Sequence, residues 1–357
     1  MHTVAKFEIT LTRFLDPSGE PCAELPEFAK DCDTLIAMYR AMVLTRVFDS
    51  KAVALQRTGR LGTFASSLGQ EAVSVAVGQT MEEQDLLLPA YRDTGAQILR
   101  GVTLVELLQY WGGDERGMDF AAQRQDFPIC IPIATQTTHA VGVATAFKLR
   151  RQPRVAVTMA GDGATSKGDF YEAINLAGVW MLPVVFVINN NQWAISVPRP
   201  HQSATETLAQ KAIAAGIPGE QVDGNDVIAL RDAMARALAR ARSGAGSTLI
   251  EALTYRLADH TTADDASRYR DTAEVKTKWH GEPVARLRAY LHARHIWSPE
   301  REQALQHECA AEVDAAVERF LALPAADPRT MFDHLYATLP TALYRQRNAI
   351  ASRGDDG

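Results

Sequence analysis

The chain has 357 residues, of which 46% are hydrophobic, and its 37 basic and 43 acidic side chains give a formal net charge of −6. This length and composition are sufficient to bury the core of one large domain or two modest ones. The charges are spread along the sequence without a basic stripe, which disfavours binding to a nucleic-acid backbone.

Two further features favour a cytoplasmic protein without a membrane partner. Residues 1–8 lack the apolar stretch of a secretory signal, and the longest nearly apolar run, 179–188, is too short to cross a bilayer. The four cysteines form no Cys-x-x-Cys motif, which argues against a disulfide framework or a zinc site: Cys22, Cys32, Cys130 and Cys309.

The first third of the chain gives mixed signals for secondary structure. Three prolines between residues 17 and 26 predict an irregular N-terminal arm over residues 1–32 that contributes no core element. Apolar residues at helical intervals predict a helix that begins at Asp33. The run Leu86–Tyr91 is typical of a short buried strand that leads into a polar turn.

The middle third alternates between strand and helix patterns. The predicted elements are a strand at 155–160, a helix at 169–180, a strand at 183–188, an amphipathic helix at 227–241 and a strand at 248–255. This alternation predicts an α/β fold, a doubly wound and mainly parallel sheet with helices on both faces. We expect this domain to cover residues 33–275, with a helical region at 276–357 packed on the same domain.

Polar side chains follow two neighbouring strands of this predicted sheet. Asp162 lies between two glycines just after the first strand, and Asn189-Asn190-Asn191 ends the next strand. Ligands of open parallel sheets bind beyond the carboxyl ends of the strands, so both groups should face one crevice. Carboxylate and amide oxygens are ligands that Mg²⁺ accepts readily, with phosphate oxygens completing its coordination.

Two other phosphate-binding motifs do not fit this stretch. The pattern Gly-x-Gly-x-x-Gly of dinucleotide-binding proteins fails at Ser166, and no Gly-Lys-Ser/Thr of a P-loop follows. Asp-Gly turns and asparagine-rich loops are individually common in loops without a function. The informative feature is the combination of Asp162 and the asparagines, separated by a helix and a strand.

This combination resembles the thiamine diphosphate motif of thiamine-dependent enzymes. The longer run Gly161–Asn175, together with Gln221–Asn225 and His260–Arg270, is similar to one family. That family is the alpha chain of the decarboxylating component of 2-oxo acid dehydrogenase complexes. The likeness extends over nearly the whole chain and also includes Gly59–Gly62, Tyr91-Arg92 and Thr254–Arg256.

The resemblance implies a set of cofactor and metal ligands. Asp162, the Asn191 side chain and the Trp193 carbonyl would bind magnesium, and the pattern Asn-Asn-x-aromatic-x-Ile-Ser favours Asn191 over Asn190. Trp193 departs from the tyrosine or phenylalanine usual in the family, but only its carbonyl is needed. The other residues implied to contact thiamine diphosphate are Tyr91, Arg92, Ile133, Gly161, Gly163, Ala164 and His260.

The loop after the strand at 248–255 carries the implied catalytic residue. By resemblance, His260 would orient the bound intermediate and assist transfer to the lipoyl group, and an imidazole that titrates near neutral pH suits this role. An ion pair between Asp265 and Arg270 would order the loop. Thr261 stands where mitochondrial relatives carry a phosphorylated serine, and we expect no phosphorylation here.

The resemblance also implies partners, because no glutamate of this chain stands out as the partner of the cofactor's aminopyrimidine. In two-chain members a beta subunit supplies it, so we expect two alpha and two beta chains docked on a lipoyl-bearing dihydrolipoamide acyltransferase core. The implied enzyme is an oxidoreductase that decarboxylates a small 2-oxo acid and transfers the acyl unit to lipoyl groups.

Sequence details divide between two branches of this family. Gly161–Glu172 and Ala209–Gly219 resemble the pyruvate branch, whereas Ile133–Gln136 and Ala140–Gly142 are closer to the branched-chain 2-oxo acid branch. We favour pyruvate, with 3-methyl-2-oxobutanoate as the alternative. A nicotinamide-dependent dehydrogenase is disfavoured because the sequence lacks the glycine-rich fingerprint of that class. A non-catalytic scaffold is disfavoured because Asp162, Asn191, Arg92 and His260 are all present.

Overall fold

A computed structural model describes residues 1–333 and 335–351. Its strands are β1 Leu11–Thr12, β2 Leu86–Leu88, β3 Ala156–Gly161, β4 Val184–Asn190, β5 Trp193–Ala194, β6 Val197–Pro198, β7 Gly219–Asp223 and β8 Thr248–Leu253. Its α-helices are α1 Cys32–Arg57, α2 Glu71–Thr80, α3 Thr94–Leu99, α4 Leu104–Trp111, α5 Thr135–Leu149, α6 Gly168–Val179, α7 Arg199–Gln202, α8 Lys211–Ala214, α9 Val227–Arg242, α10 Thr272–Lys278, α11 Pro283–Ala293, α12 Pro299–Leu321 and α13 Thr341–Ala351.

Six strands form one parallel sheet in the order β1-β7-β8-β4-β3-β2, and β5 and β6 form a separate antiparallel hairpin. The register pairs Gly161 at the end of β3 with Asn189 near the end of β4. Asn190 is paired in turn with Leu253 at the end of β8. Three strands therefore end level with one another, and the segments that follow them leave the sheet at the same edge.

Burial on alternate residues of β3 and β4 shows that both faces of the sheet are covered. Ala156, Ala160 and Phe186 belong to the hydrophobic core that includes side chains of α5 and α6. Val157 and Val185, which point the other way, are also fully buried. Near-continuous apolar strands of this kind are typical of parallel sheets between two helical layers. The predicted doubly wound α/β class is confirmed.

The N-terminal segment contributes to the sheet, so the prediction of an arm without core elements is wrong for residues 11–15. Leu11 and Thr12 pair with β7, and Leu15 is buried. The Asp226 carboxylate accepts hydrogen bonds of 2.7 Å from the backbone amides of Phe14 and Leu15. A strand of two residues is too short to show the alternation of apolar and polar residues that predicts a strand. Asp226, which holds this segment, lies more than two hundred residues away in sequence.

The chain separates into two compact units, Met1–Ala316 and Val317–Gly357. In the second unit, Arg347 lies 3.3 Å from Asp333 in an ion pair. The predicted division at residues 32 and 275, with the packing of 276–357 on the same domain, remains a prediction. That last region includes residue 334 and residues 352–357, which lie outside the described residues. No helix in the described ranges is long and apolar enough to cross a membrane.

Candidate thiamine diphosphate site

A cavity of about 190 Å³ opens at the carboxyl ends of β3 and β4. The strand ends, the β5–β6 hairpin, the turn after β2 and the loop after β8 all contribute to its walls. Every residue predicted from the sequence as a ligand lines it: Tyr91, Arg92, Ile133, Gly161, Asp162, Gly163, Ala164, Asn191, Trp193 and His260. The structure thus brings together residues that are as far as 169 positions apart, from Tyr91 to His260.

Asp162 begins a 3₁₀ turn, Asp162–Ser166, directly after β3, and its side chain is buried. One carboxylate oxygen accepts a 2.7 Å hydrogen bond from the Gln202 amide. Burial raises the pKa of Asp162 to about 6, although hydrogen bonds from the backbone and from Gln202 act in the opposite direction. A carboxylate that is costly to bury and that faces a cavity is suited to bind a cation.

The side chains of the three asparagines at the end of β4 have different hydrogen-bond partners. Asn190 donates a 2.6 Å hydrogen bond to Glu251 and does not line the cavity. Asn191 lines the cavity, where its amide oxygen accepts a 3.2 Å hydrogen bond from the Trp193 backbone and its amide nitrogen donates to Gln70 over 2.9 Å. The geometry therefore favours Asn191 over Asn190 as the amide ligand.

Arg92 and His260 form a linked pair on another wall. The Arg92 guanidinium donates to the backbone carbonyls of Ser66 and His260 at 2.5 and 2.6 Å. It also lies 3.0 Å from the His260 Nδ1 atom. Since arginine is only a donor, this contact makes Nδ1 the acceptor and leaves the imidazole proton on Nε2. The Tyr91 ring stands edge-on to the imidazole, with centroids 6.3 Å apart.

His260 does not titrate near neutral pH in this environment, contrary to the expectation from the sequence. Burial and the positive charges of Arg92 and Arg256 lower its pKa to about 4, so the ring is neutral at physiological pH. Arg92 could not be placed beside the histidine from the sequence, because it follows a strand 168 residues earlier.

The remaining predicted residues form the floor and rim of the cavity. A Cβ atom built on Gly163 would lie 2.7 Å from the Cβ of Ala194, so only glycine fits there without movement. A Cβ built on Gly161 would meet nothing within 4 Å, which leaves its backbone open to a ligand. Ala164 is buried, and Ile133 exposes 41% of its surface at the rim.

The loop Asp259–Arg270 is held by contacts other than the predicted ion pair between Asp265 and Arg270. Arg270 donates instead to backbone carbonyls of Arg256 and Ala258, and Asp265 caps the following 3₁₀ helix through Ser267. Asp264 accepts hydrogen bonds from the Tyr269 hydroxyl and from the His260 backbone amide. A sequence pattern cannot predict hydrogen bonds between a side chain and backbone carbonyls.

Sequence reasoning missed several polar residues that line the same cavity. Gln70 and Gln136 are buried, and each keeps one amide atom without a hydrogen-bond partner in the described structure, Nε2 of Gln70 and Oε1 of Gln136. Asp93 is also buried there, and burial raises its pKa to about 7. Asp93 lies next to Tyr91-Arg92, and Gln136 ends the stretch Ile133–Gln136, so both stand beside recognised motifs. Gln70 reaches the site through the fold alone.

The residues present fit a magnesium ion that carries a diphosphate. The described residues contain no group of three or more histidine, cysteine, aspartate or glutamate side chains that could hold a metal. The cavity instead offers the Asp162 carboxylate, the Asn191 amide oxygen, an open glycine backbone and the Arg92 guanidinium. When phosphate oxygens occupy the other coordination positions, Mg²⁺ needs only a few ligands from the protein. The Nε2 atom of Gln70, which has no hydrogen-bond partner in the described structure, adds a donor for an anion.

The fold and this cavity define a class of protein that comparison with known families also identifies. A family model described as "Dehydrogenase E1 component" matches residues 39–329, so the chain belongs to this thiamine diphosphate-dependent family. The resemblance inferred from the motifs is confirmed.

Similar proteins carry two different substrate names. The chain is 40% identical over 344 residues to the 3-methyl-2-oxobutanoate dehydrogenase subunit alpha of Mycobacterium tuberculosis, covering 95% of this chain and 92% of the relative. It is 40% identical over 333 residues to the pyruvate dehydrogenase E1 component subunit alpha of Acholeplasma laidlawii, covering 93% and 96%. The pyruvate dehydrogenase E1 component subunit alpha of Staphylococcus aureus is 38% identical over 348 residues, with 96% and 93% covered.

Proposed function

We propose that this chain is the alpha subunit of a pyruvate dehydrogenase E1 component. The reaction is the oxidative decarboxylation of pyruvate, with reductive transfer of the acetyl unit to a lipoyl group. The observation that carries this proposal is that Asp162 and Asn191, from the ends of adjacent strands, face one cavity together with Arg92 and His260.

The cavity residues divide the work of holding the cofactor. The Asp162 carboxylate, the Asn191 amide oxygen and the Trp193 carbonyl would bind Mg²⁺. The diphosphate would be held by Tyr91, Arg92 and the backbone of Gly161, Gly163 and Ala164, and Ile133 would contact the rings. When bound, thiamine diphosphate supplies the electron sink that loss of carbon dioxide from a 2-oxo acid requires.

His260 is suited to donate a hydrogen bond from one defined atom. The Arg92 contact occupies Nδ1, and the lowered pKa keeps the ring neutral, so Nε2 carries the only ring proton. A neutral donor beside two arginines is available throughout the neutral pH range. This supports the role inferred for His260 in orienting the substrate and assisting acyl transfer.

The site supports the proposal of a beta subunit. No glutamate is among the described residues that line the cavity, whereas the family resemblance implies a glutamate at the aminopyrimidine ring of the cofactor. We therefore propose an assembly of two alpha and two beta chains that acts on a lipoyl-bearing dihydrolipoamide acyltransferase core. The four free cysteines suit a reducing compartment, in agreement with a proposed cytoplasmic location.

A branched-chain 2-oxo acid is the second candidate substrate. The relative from Mycobacterium tuberculosis is named for 3-methyl-2-oxobutanoate and is as similar as the Acholeplasma laidlawii relative named for pyruvate. Ile133 at the rim is one group of this chain that a larger acyl substituent would approach. The beta subunit contributes the rest of the pocket.

Reconstitution of the alpha and beta chains tests the proposal directly. The complex, saturated with thiamine diphosphate and Mg²⁺, is assayed for decarboxylation of pyruvate and of 3-methyl-2-oxobutanoate in parallel. We expect a higher kcat/KM for pyruvate, and almost no turnover by the alpha chain alone. A preference for 3-methyl-2-oxobutanoate would select the second candidate, and vigorous turnover without a beta chain would contradict the shared site.

A further inference from the structure

We propose that Gln70 is a positioning residue of the cofactor site, which holds the Asn191 amide in its metal-binding orientation and donates its own N–H to the bound diphosphate. This inference rests on the proposed function, because it concerns how the same cavity holds a magnesium diphosphate. Gln70 belongs to none of the motifs that carry the family resemblance.

A chain of hydrogen bonds fixes the orientation of both amides. The Trp193 backbone amide can only donate, so the Asn191 atom 3.2 Å away is the amide oxygen. The other atom of that amide is therefore the nitrogen, which donates to the Gln70 oxygen over 2.9 Å. If the oxygen and nitrogen of either side-chain amide exchanged positions, two donors or two acceptors would face each other.

This chain leaves one donor of Gln70 unpaired. Its Nε2 atom is buried and has no hydrogen-bond partner in the described structure, although the residue lines the cavity. Leaving a buried donor unsatisfied is costly, and native proteins keep few of them. An anionic oxygen in the cavity would satisfy this donor with a charge-assisted hydrogen bond.

The backbone that carries Gln70 is rigidly held. Gly69 has a φ of +85°, and a Cβ there would lie 2.8 Å from the Tyr255 carbonyl oxygen, so the chain is packed tightly at this point. The backbone N–H of Gln70 donates to the Ser67 carbonyl over 2.9 Å. The next residue, Glu71, is buried and forms a 2.8 Å ion pair with Arg46. The side chain therefore starts from a fixed position and is preorganised for binding.

Two substitutions separate the two roles of Gln70. In Gln70→Glu, a carboxylate oxygen still accepts from Asn191, but the free donor is lost and a negative charge faces the diphosphate. In Gln70→Leu, both interactions are lost. Gln97→Leu is the matched control, because the Gln97 Nε2 atom is also buried without a partner but the residue does not line the cavity.

Binding is measured by calorimetry on the reconstituted alpha–beta complex without thiamine. Inorganic pyrophosphate is titrated at saturating Mg²⁺, and Mg²⁺ is titrated at saturating pyrophosphate. We expect Gln70→Glu to weaken pyrophosphate binding by about tenfold or more while Mg²⁺ binding is retained. We expect Gln70→Leu to weaken both, and Gln97→Leu to change neither by more than about twofold.

The outcomes distinguish failure of this inference from failure of the proposed function. If the unmodified complex binds no magnesium pyrophosphate, the proposed function is overturned and this inference with it. If the unmodified complex binds and Gln70→Glu binds equally well, only the role of Gln70 is overturned. The melting temperature of each complex without ligand is measured alongside. A drop in melting temperature with unchanged affinity would make Gln70 purely structural and contradict the inference.

Discussion

Two regions of the molecule bury charged groups in opposite ways. Arg100 and Asp126 form a buried two-point ion pair, with N–O distances of 2.8 and 3.0 Å, and Arg100 also donates to the carbonyls of Glu82 and Asp85. In the cavity, by contrast, Asp162 is buried with a hydrogen bond from the neutral Gln202 amide, and the Gln70 Nε2 atom has no described partner.

This difference in hydrogen bonding distinguishes charged groups that stabilise the fold from polar groups whose interactions are completed only when a ligand binds. A buried pair whose hydrogen bonds are complete needs nothing further, and removal of one partner costs stability. A buried carboxylate with a raised pKa costs stability in the free protein and recovers it when a cation binds. Substitutions in the two regions should therefore have opposite effects on stability and on cofactor binding.

Asp162→Asn should have the largest effect on binding. The amide keeps the size of the side chain but removes the charge, so we expect magnesium-dependent binding of thiamine diphosphate to weaken by about a hundredfold or more. The melting temperature of the free protein should not fall, because burial raises the pKa of Asp162 to about 6 and so makes its ionised form, which is populated at neutral pH, costly in the folded protein. Calorimetry that shows unchanged binding would contradict the metal assignment.

Asp126→Asn should reverse this pattern. It leaves the buried Arg100 without its counter-charge, and we expect the free energy of unfolding to fall by about 3 kcal/mol, measured by urea denaturation. Cofactor affinity in the folded protein should stay within about twofold of normal. Glu27→Gln is the control, because its pair with Lys30 is exposed and contributes less than about 1 kcal/mol. A loss of affinity without a loss of stability would contradict the comparison.

His260→Gln should slow acyl transfer more than it weakens binding. Loss of the imidazole Nε2–H as a hydrogen-bond donor should lower the rate of lipoyl acetylation by about a hundredfold, the size of the loss of one donor to a charge that develops in the reaction. Cofactor affinity should change less, since Arg92 keeps its backbone contacts. The neighbouring Thr261→Ala serves as the control, with an expected rate change below about twofold. Equal effects of both substitutions on the acetylation rate would remove the assigned role.

The smallest effect concerns pH. Because Mg²⁺ needs the ionised carboxylate of Asp162 and burial raises the pKa of that group to about 6, protonation competes with the metal as the pH falls below 6. We expect the affinity for magnesium pyrophosphate to be steady above that value and to fall about tenfold per pH unit well below it. The titration is corrected for protonation of free pyrophosphate. Asp93→Asn should keep this fall, since Asp93 lines the same cavity and also has a pKa raised by burial but is not a proposed metal ligand.

The sequence predicted the parts of the structure that depend on local pattern. The central strands and helices of the sheet appear close to their expected positions, because apolar runs and helical periodicity extend over enough residues to be read. The cofactor residues were found because a glycine-flanked aspartate and an asparagine run each lie within one short stretch, at the ends of adjacent strands. Their assignment as ligands came from family resemblance and remains a prediction.

The parts that failed depend on contacts distant in sequence. The strand at residues 11–12 is too short for a pattern and is anchored by Asp226. The low pKa of His260 results from burial and from the charges of Arg92 and Arg256, of which Arg92 is 168 positions away in sequence. The Gln70–Asn191 hydrogen bond joins residues 121 positions apart. Electrostatic environment and side-chain pairing of this kind exist only once the chain is folded.

The most direct measurement is a crystal structure of the alpha–beta complex with thiamine diphosphate and Mn²⁺ in place of Mg²⁺, in which anomalous scattering locates the metal. We expect one metal peak at about 2.2 Å from both the Asp162 carboxylate and the Asn191 amide oxygen, bridged to the diphosphate. A metal peak with the diphosphate bound away from these two side chains would contradict the account.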